Sequence, residues 1–127
     1  MARKVGAVVG SVLVALVFVA TAIAAKPIKN GIYFDGVHGV YVAFKGDNKT
    51  IKGLNVPCRG KLWVATQFIT VKSGKFSYNG ADFVARNGKP TKQTGKMKAS
   101  GVFKTSHLVV GTASAGGCTV RYAATLT

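Results

Sequence analysis

The last ten residues, Cys118–Thr127 (CTVRYAATLT), alternate in a strict period of two. Cys118, Val120, Tyr122, Ala124 and Leu126 fall on one side; Thr119, Arg121, Ala123, Thr125 and Thr127 fall on the other. Successive side chains of a strand point to opposite faces, so this is a strand with one core face and one wet face. Reading back from it, the same pattern recurs in short pieces. Leu108–Ala113 ends at the turn residues Ser114–Gly117. Met97, Ala99 and Phe103 share one parity, against Lys96, Lys98 and Lys104. Phe76 and Tyr78 follow the turn Ser73-Gly74 and lead to Asn79-Gly80, a hairpin-type dipeptide. Phe83–Ala85 is a further short run, and Asn87–Thr94 (NGKPTKQT) reads as a polar loop. Leu62–Val71 (LWVATQFITV) is apolar on both parities, which a bend near Thr66-Gln67 explains. Within it Leu62 and Val64 take the core parity and Trp63 the opposite one. Thr50–Val56 is a weaker run stopped by Pro57. Before it, Val40, Val42 and Phe44 alternate with Tyr41, Ala43 and Lys45, and Gly46–Lys49 turns. No stretch holds the 3.6-residue period of an amphipathic helix. About eight or nine short strands, with turn signals roughly every 8–12 residues, predict a single all-β domain: an antiparallel β-sandwich or a small barrel.

The 127-residue chain opens on a short basic start, Met1–Lys4, followed by Val5–Ala25 without a charged side chain. Ala22-Ile23-Ala24 supplies the small-x-small pattern of a signal-peptidase site, with cleavage after Ala24 or one residue later after Ala25. The expectation is a hydrophobic signal helix in residues 1–25 and the β domain in 26–127, exported to the extracellular side. About 20 apolar residues also span a bilayer, so an uncleaved anchor with the domain outside is the alternative. The chain has two cysteines, Cys58 and Cys118. An oxidising compartment favours their one intramolecular pairing, and the core-side parity of Cys118 makes it a staple within the sheet structure. Neither has a His or second Cys at ligand spacing, so no metal is expected.

Charge is the strongest compositional feature. Eighteen Lys and Arg face three acids, Asp35, Asp47 and Asp82, for a formal net charge of +15. Arg3 and Lys4 lie in the leader, which leaves sixteen bases and a net +13 on the domain. At most three ion pairs can form, so a large positive potential is unavoidable. The densest acid-free segment carries Arg86, Lys89, Lys92, Lys96, Lys98 and Lys104, a candidate anion-binding surface. Thirteen of the sixteen bases are Lys. Lys acts as a point charge rather than a bidentate fork, so binding should be salt-sensitive and loosely specific. Lysines on strands also discourage edge-to-edge aggregation, which is the competing reading. Tyr41 and Trp63, both opposite the core parity, form a candidate aromatic platform for sugar rings.

The landmarks Gly31–Gly36 (GIYFDG), Val40–Phe44, Cys58, Gly74–Phe76, Gly101–Phe103, Val110–Thr112 and Cys118–Ala123 run in an order similar to that of small secreted bacterial β-domains. The resemblance covers most of residues 26–127 and implies a β-sandwich with one disulfide. It brings no catalytic residue. The residue inventory agrees: His38, His107 and three Asp offer one neighbouring pair, Asp35 and His38, without a Ser in a nucleophile elbow or a phosphate-cradling glycine loop. The sequence therefore points to a non-enzymatic binding module without cofactor or metal. Its partner is an anionic polymer or a membrane or cell-wall surface. A specific protein-interaction module (an inhibitor, toxin-like or structural surface factor), using Arg59-Gly60-Lys61 and residues 87–94, is the alternative. A small hydrolase or lyase at Asp35 and His38 is the third.

Overall fold

The computed structural model describes residues 24–127; the hydrophobic stretch read as a signal helix lies almost wholly outside the described residues. No helix occurs among those described. In chain order the strands are β1 (Ile32–Phe34), β2 (Tyr41–Phe44), β3 (Thr50–Cys58), β4 (Lys61–Ala65), β5 (Ile69–Thr70), β6 (Lys75–Arg86), β7 (Lys89–Thr105), β8 (Leu108–Ala115) and β9 (Cys118–Leu126). They form one antiparallel sheet in the order β2-β1-β9-β8-β7-β6-β4-β3-β5, and β2 also pairs with β3. That extra pairing closes a ring of eight strands, each beside its neighbours in the chain, with β5 attached to the free half of the β3 edge. One sheet closed on itself, not two packed face to face, makes this the small barrel and not the sandwich. Eight strands leave an interior just wide enough for side chains to fill.

Four connections are two-residue turns with both residues at positive φ: Arg59-Gly60, Ser73-Gly74, Asn87-Gly88 and Gly116-Gly117. Their twist matches that of the strands they join. Asn79-Gly80 is not among them. It lies inside β6, opposite Lys98 and Met97. Phe76, Tyr78, Asp82 and Val84 stay in phase on the buried face along the whole of β6, so an uninterrupted strand buries what a turn there would expose. Nor is 87–94 a loop: beyond Asn87-Gly88, β7 pairs back onto β6 through a bulge opposite Val84, where the Thr91 hydroxyl donates to the Val84 carbonyl at 2.7 Å. The bend after Ala65 is present, and it separates β4 from β5.

At one end of the interior Tyr33, Phe44 and Phe103 pack edge-on with ring centroids 5.2–6.0 Å apart. Toward the other end sit Val56, Trp63, Val84 and Met97, all buried. Trp63 pairs in register with Val56 and Val84, which carries its ring inward and turns Leu62 and Val64 to the half-buried outside. The parity of β4 is thus the reverse of the sequence expectation. The inward phase of a short strand is set by its neighbours' register, and β4 has too few residues to show it alone.

One seam is incomplete. β1 and β2 are short, and β1 pairs only with Thr125 and Leu126 of β9, while β2 pairs with β3 no further than Asn55. Above them the N-terminal half of β9 and the end of β3 have no strand between them. The Cys58–Cys118 disulfide spans that gap, with 5.8 Å between its Cα atoms and 60 residues of sequence between its ends. It also seats the Gly116-Gly117 turn over the barrel mouth. The Gly116 carbonyl lies 3.2 Å from the Cys58 sulfur, and a Cβ at Gly116 would strike the Trp63 indole nitrogen. Replacing both cysteines by Ala should lower the unfolding free energy by about 4 kcal/mol, the loop-closure value for a ring of this length. Chemical denaturation of the two oxidised and cysteine-free proteins, with m-values compared, checks it.

Candidate anion-binding face

The three acids come first, because they decide how much positive charge is left uncompensated. Asp47 accepts the Lys49 and Thr50 amides at 3.0 and 2.9 Å, which hold its carboxyl below the usual range. Asp35 is buried. Burial raises its carboxyl, but the Val37 amide at 2.9 Å and the His38 ring at 3.0 Å more than offset this, so its pKa ends below the ordinary value. Asp82 lies wholly inside the barrel with no hydrogen-bond partner for either oxygen, and burial pushes its pKa up, the nearby Gly95 amide offsetting only part of that. Among the described residues no Lys or Arg reaches an acid within ion-pair distance; the one such pair is His38 with Asp35. Lys45 stands near enough to Asp47 to help hold its carboxyl down, but no lysine is ion-paired among the described residues.

On the outer face of β6–β9 the registers build cross-strand rows. Asn79, Lys98, Ser114 and Thr119 form one, with the Ser114 and Thr119 hydroxyls 2.9 Å apart. Ser77, Ser100, Thr112 and Arg121 form the next. Lys96 stands one outward position from Lys98. Strands lie about 4.8 Å apart, so the rows are flat arrays of hydroxyls with cations at fixed intervals. Arg121 and the hydroxyls were not singled out from sequence. The alternation of β9 places Thr119 and Arg121 outward, but only the register brings them beside Lys98 and Ser100.

The six candidate cations fall at three places along β6 and β7. Arg86, Lys89 and Lys92 lie at the tip of the β6–β7 hairpin, Lys96 and Lys98 beside the hydroxyl rows, and Lys104 at the far end of β7. Lys92 to Lys104 spans about 40 Å along the strand, several Debye lengths at 0.1 M salt. They make a stripe along the barrel wall. Residues 89–96 of β7 pair only with β6, so the other edge of this tip is open; its lysines, Pro90 and bulge are the usual guards of such an edge.

The aromatic pair is corrected. Trp63 is 7% exposed and inside the barrel, so it offers no outer face to a sugar. Tyr41 is half-buried on the outside, and its cross-strand partner is Phe34, 44% exposed, beside exposed Ile32 and, in the adjoining loop, Val37. This wall of the barrel is apolar where the β6–β9 wall is cationic. The Asp35–His38 pair folds the β1–β2 loop: the Asp35 amide and carbonyl bond to Val40 and Gly39, and among the described residues no hydroxyl or thiol engages the His38 ring. His107 lies 2.9 Å from the Ser106 hydroxyl in an exposed turn with no acid behind it. Among the described residues no group of three His, Cys, Asp or Glu is placed to hold a metal ion.

No known family model matches the chain, and neither the curated proteins nor the solved structures contain a significant match. The site is therefore read from its own geometry.

Asp82 gives a separable pH signature. Its carboxyl is raised above 3.8 in the fold, so the native state holds the proton longer than the unfolded chain does. Its contribution is present in full below 3.8 and is lost as pH rises through the folded pKa. Asp35 and Asp47 work in the opposite sense and below 3.8, losing stability as pH falls. Asp82→Asn, neutral at every pH, should remove the loss on the upper limb and match or exceed the parent melting temperature at pH 7. Thermal melts from pH 3 to 8 read both limbs.

Proposed function

We propose that the chain is an exported, non-enzymatic binding module that contacts anionic polymers outside the cytoplasm through the outer face of β6–β9. The observation that carries this reading is that no Lys or Arg is ion-paired with an acid among the described residues, while Lys96, Lys98 and Arg121 share one face with cross-strand rows of Ser, Thr and Asn hydrogen-bonding groups. A stripe of point charges suits a linear partner with repeated negative charge, such as acidic cell-wall polymers, acidic glycans or the headgroup surface of a membrane. The work needs no cofactor or metal: contact comes from Coulomb attraction and hydrogen bonds to oxyanions. The disulfide is consistent with an oxidising compartment and supports export.

Each surface cation near an anionic surface contributes about 1 kcal/mol. Lys98→Ser with Arg121→Ser should therefore weaken binding to heparin resin or anionic vesicles roughly thirtyfold and make the salt dependence shallower. A charge-matched control, Lys29→Ser with Lys45→Ser at the end of the barrel near the N-terminal segment, should lose much less. Equal loss in the two pairs would mean diffuse charge and no face.

The apolar wall supports a second reading, a protein-interaction module. Phe34 and Ile32 project from β1, Val37 is 84% exposed in the next loop, and Tyr41 flanks them. A partner seated there would be held by apolar contact. Its capture should survive high salt and fall at least tenfold with Phe34→Ser, as read by pull-down of the exported protein at two salt concentrations.

A further inference from the structure

Residues 25–31 are built into the barrel as a strap across the end where the chain enters. The Ala25 amide donates to the Phe103 carbonyl at 2.8 Å, on the same edge of β7 where the Phe103 amide donates to Gly74 at 2.8 Å. Pro27 is buried, the Ile28 amide donates to the Tyr33 hydroxyl at 2.8 Å, and that hydroxyl donates to the Ser106 carbonyl at 2.6 Å. The Asn30 amide reaches Asp47, and Gly31 accepts from Phe44. Ala25 packs partly buried against the core. Gly74 makes room for it: a Cβ there would lie 2.5 Å from the Ala25 carbonyl oxygen and 2.6 Å from the Ala24 Cβ.

From this geometry we infer that the bond hydrolysed on export is Ala24–Ala25, and that the barrel holds the Ala25 amino group so released against the Phe103 carbonyl. The inference rests on the export reading and chooses between the two cleavage positions that the Ala22-Ile23-Ala24 pattern leaves open. Cleavage after either residue frees the part of the Gly74 space that Ala24 fills, but cleavage one residue later would also remove the Ala25 carbonyl from it and leave the Phe103 carbonyl without its partner. Cleavage after Ala24 keeps the hydrogen bond and makes its donor an ammonium, which strengthens it. A signal peptidase, an endopeptidase with small-residue pockets for Ala22 and Ala24, catalyses the step with water as co-reactant. The water oxygen bonds to the Ala24 carbonyl carbon, and the carbon–nitrogen bond breaks. The leader departs with a carboxylate, and the Ala25 nitrogen takes up both protons of the water, one to become an amine and one to become the ammonium. Because Ala24 and Ala25 are half-buried in the folded barrel, hydrolysis precedes the seating of the strap.

The test is expression of the full chain in a secreting bacterial host, with N-terminal sequencing and intact mass of protein recovered from outside the cytoplasm. A first residue of Ala25 is expected. An exported chain that begins at Lys26, or one that stays uncut in the membrane with its barrel outside, overturns this inference and leaves export standing. A full-length chain confined to the cytoplasm overturns export and this inference with it. A second arm compares oxidised chains 25–127 and 26–127. The longer should melt roughly 4–8 °C higher, the shift expected when a domain of this size regains one satisfied buried carbonyl. Gly74→Ala should cost more in the longer chain than in the shorter, because only the former holds the Ala25 carbonyl against the new methyl. Equal melting temperatures, or an equal cost of Gly74→Ala in both chains, would count against the seat.

Discussion

Pairing of Tyr41–Phe44 with Ile51–Asn55 turns an open meander into a ring, and the rest of the molecule depends on that closure. An open antiparallel sheet of this length would leave two unpaired edges and one large apolar face. Closure satisfies most of the two edges and gives the apolar face an inside. It is achieved with few residues on one side, because β1 and β2 together contribute seven. The Cys58–Cys118 bridge completes the upper part of the seam they leave, and the tyrosine-anchored strap of residues 25–31 fills the lower end. A covalent bond does here what two more turns of strand pairing would do in a taller barrel.

The same closure separates the outer surface into two walls of different chemistry. Where β6–β9 run side by side for most of their length, outward positions are Ser, Thr, Lys and Arg in register, with Ala, Val and Phe83 completing that wall. Where β1–β4 curl across the seam, outward positions include Ile32, Phe34, Tyr41, Leu62 and Val64. Positive charge without neighbouring carboxylates on the first wall follows from where the three acids went. Asp35 and Asp47 are consumed in ordering loops, and Asp82 is placed inside, where ionisation is opposed by burial. A buried, unpartnered carboxyl at Asp82 and an unpartnered indole nitrogen at Trp63 are costs to the fold. They are tolerated at the height where Gly95 and Gly116 leave the space that larger residues would fill.

Much of the architecture was readable from local pattern. The alternation in Cys118–Leu126 and in Met97–Phe103 places the right residues inward, and the bend after Ala65 and the turn at Ser73-Gly74 are visible as composition, as is the turn within Ser114–Gly117, though the strand runs on to Ala115. Errors arose where a local signal competed with pairing. Asn79-Gly80 has the dipeptide of a hairpin, but the unbroken phase from Phe76 to Val84 keeps the strand running and moves the turn to Asn87-Gly88. The parity of Trp63 is not legible in β4 because Leu62–Ala65 are apolar on both sides, so only its neighbours Val56 and Val84 decide which way it faces. The candidate cations are dense in the sequence; their spread along β7 follows from its length of seventeen residues, which the polar composition of 87–94 does not reveal.

By itself the sequence determined the strand content, the cation excess and the two thiols available for one bridge. Each is a property of composition or of period-two alternation, which is local. Only the tertiary structure decided that the sheet closes on itself, that Phe34 rather than Trp63 stands beside Tyr41, that Arg121 joins the row of Ser100, and that Asp82 loses its water. Those outcomes are set by register between strands far apart in the chain, and a shift of one residue would exchange inside for outside along an entire strand.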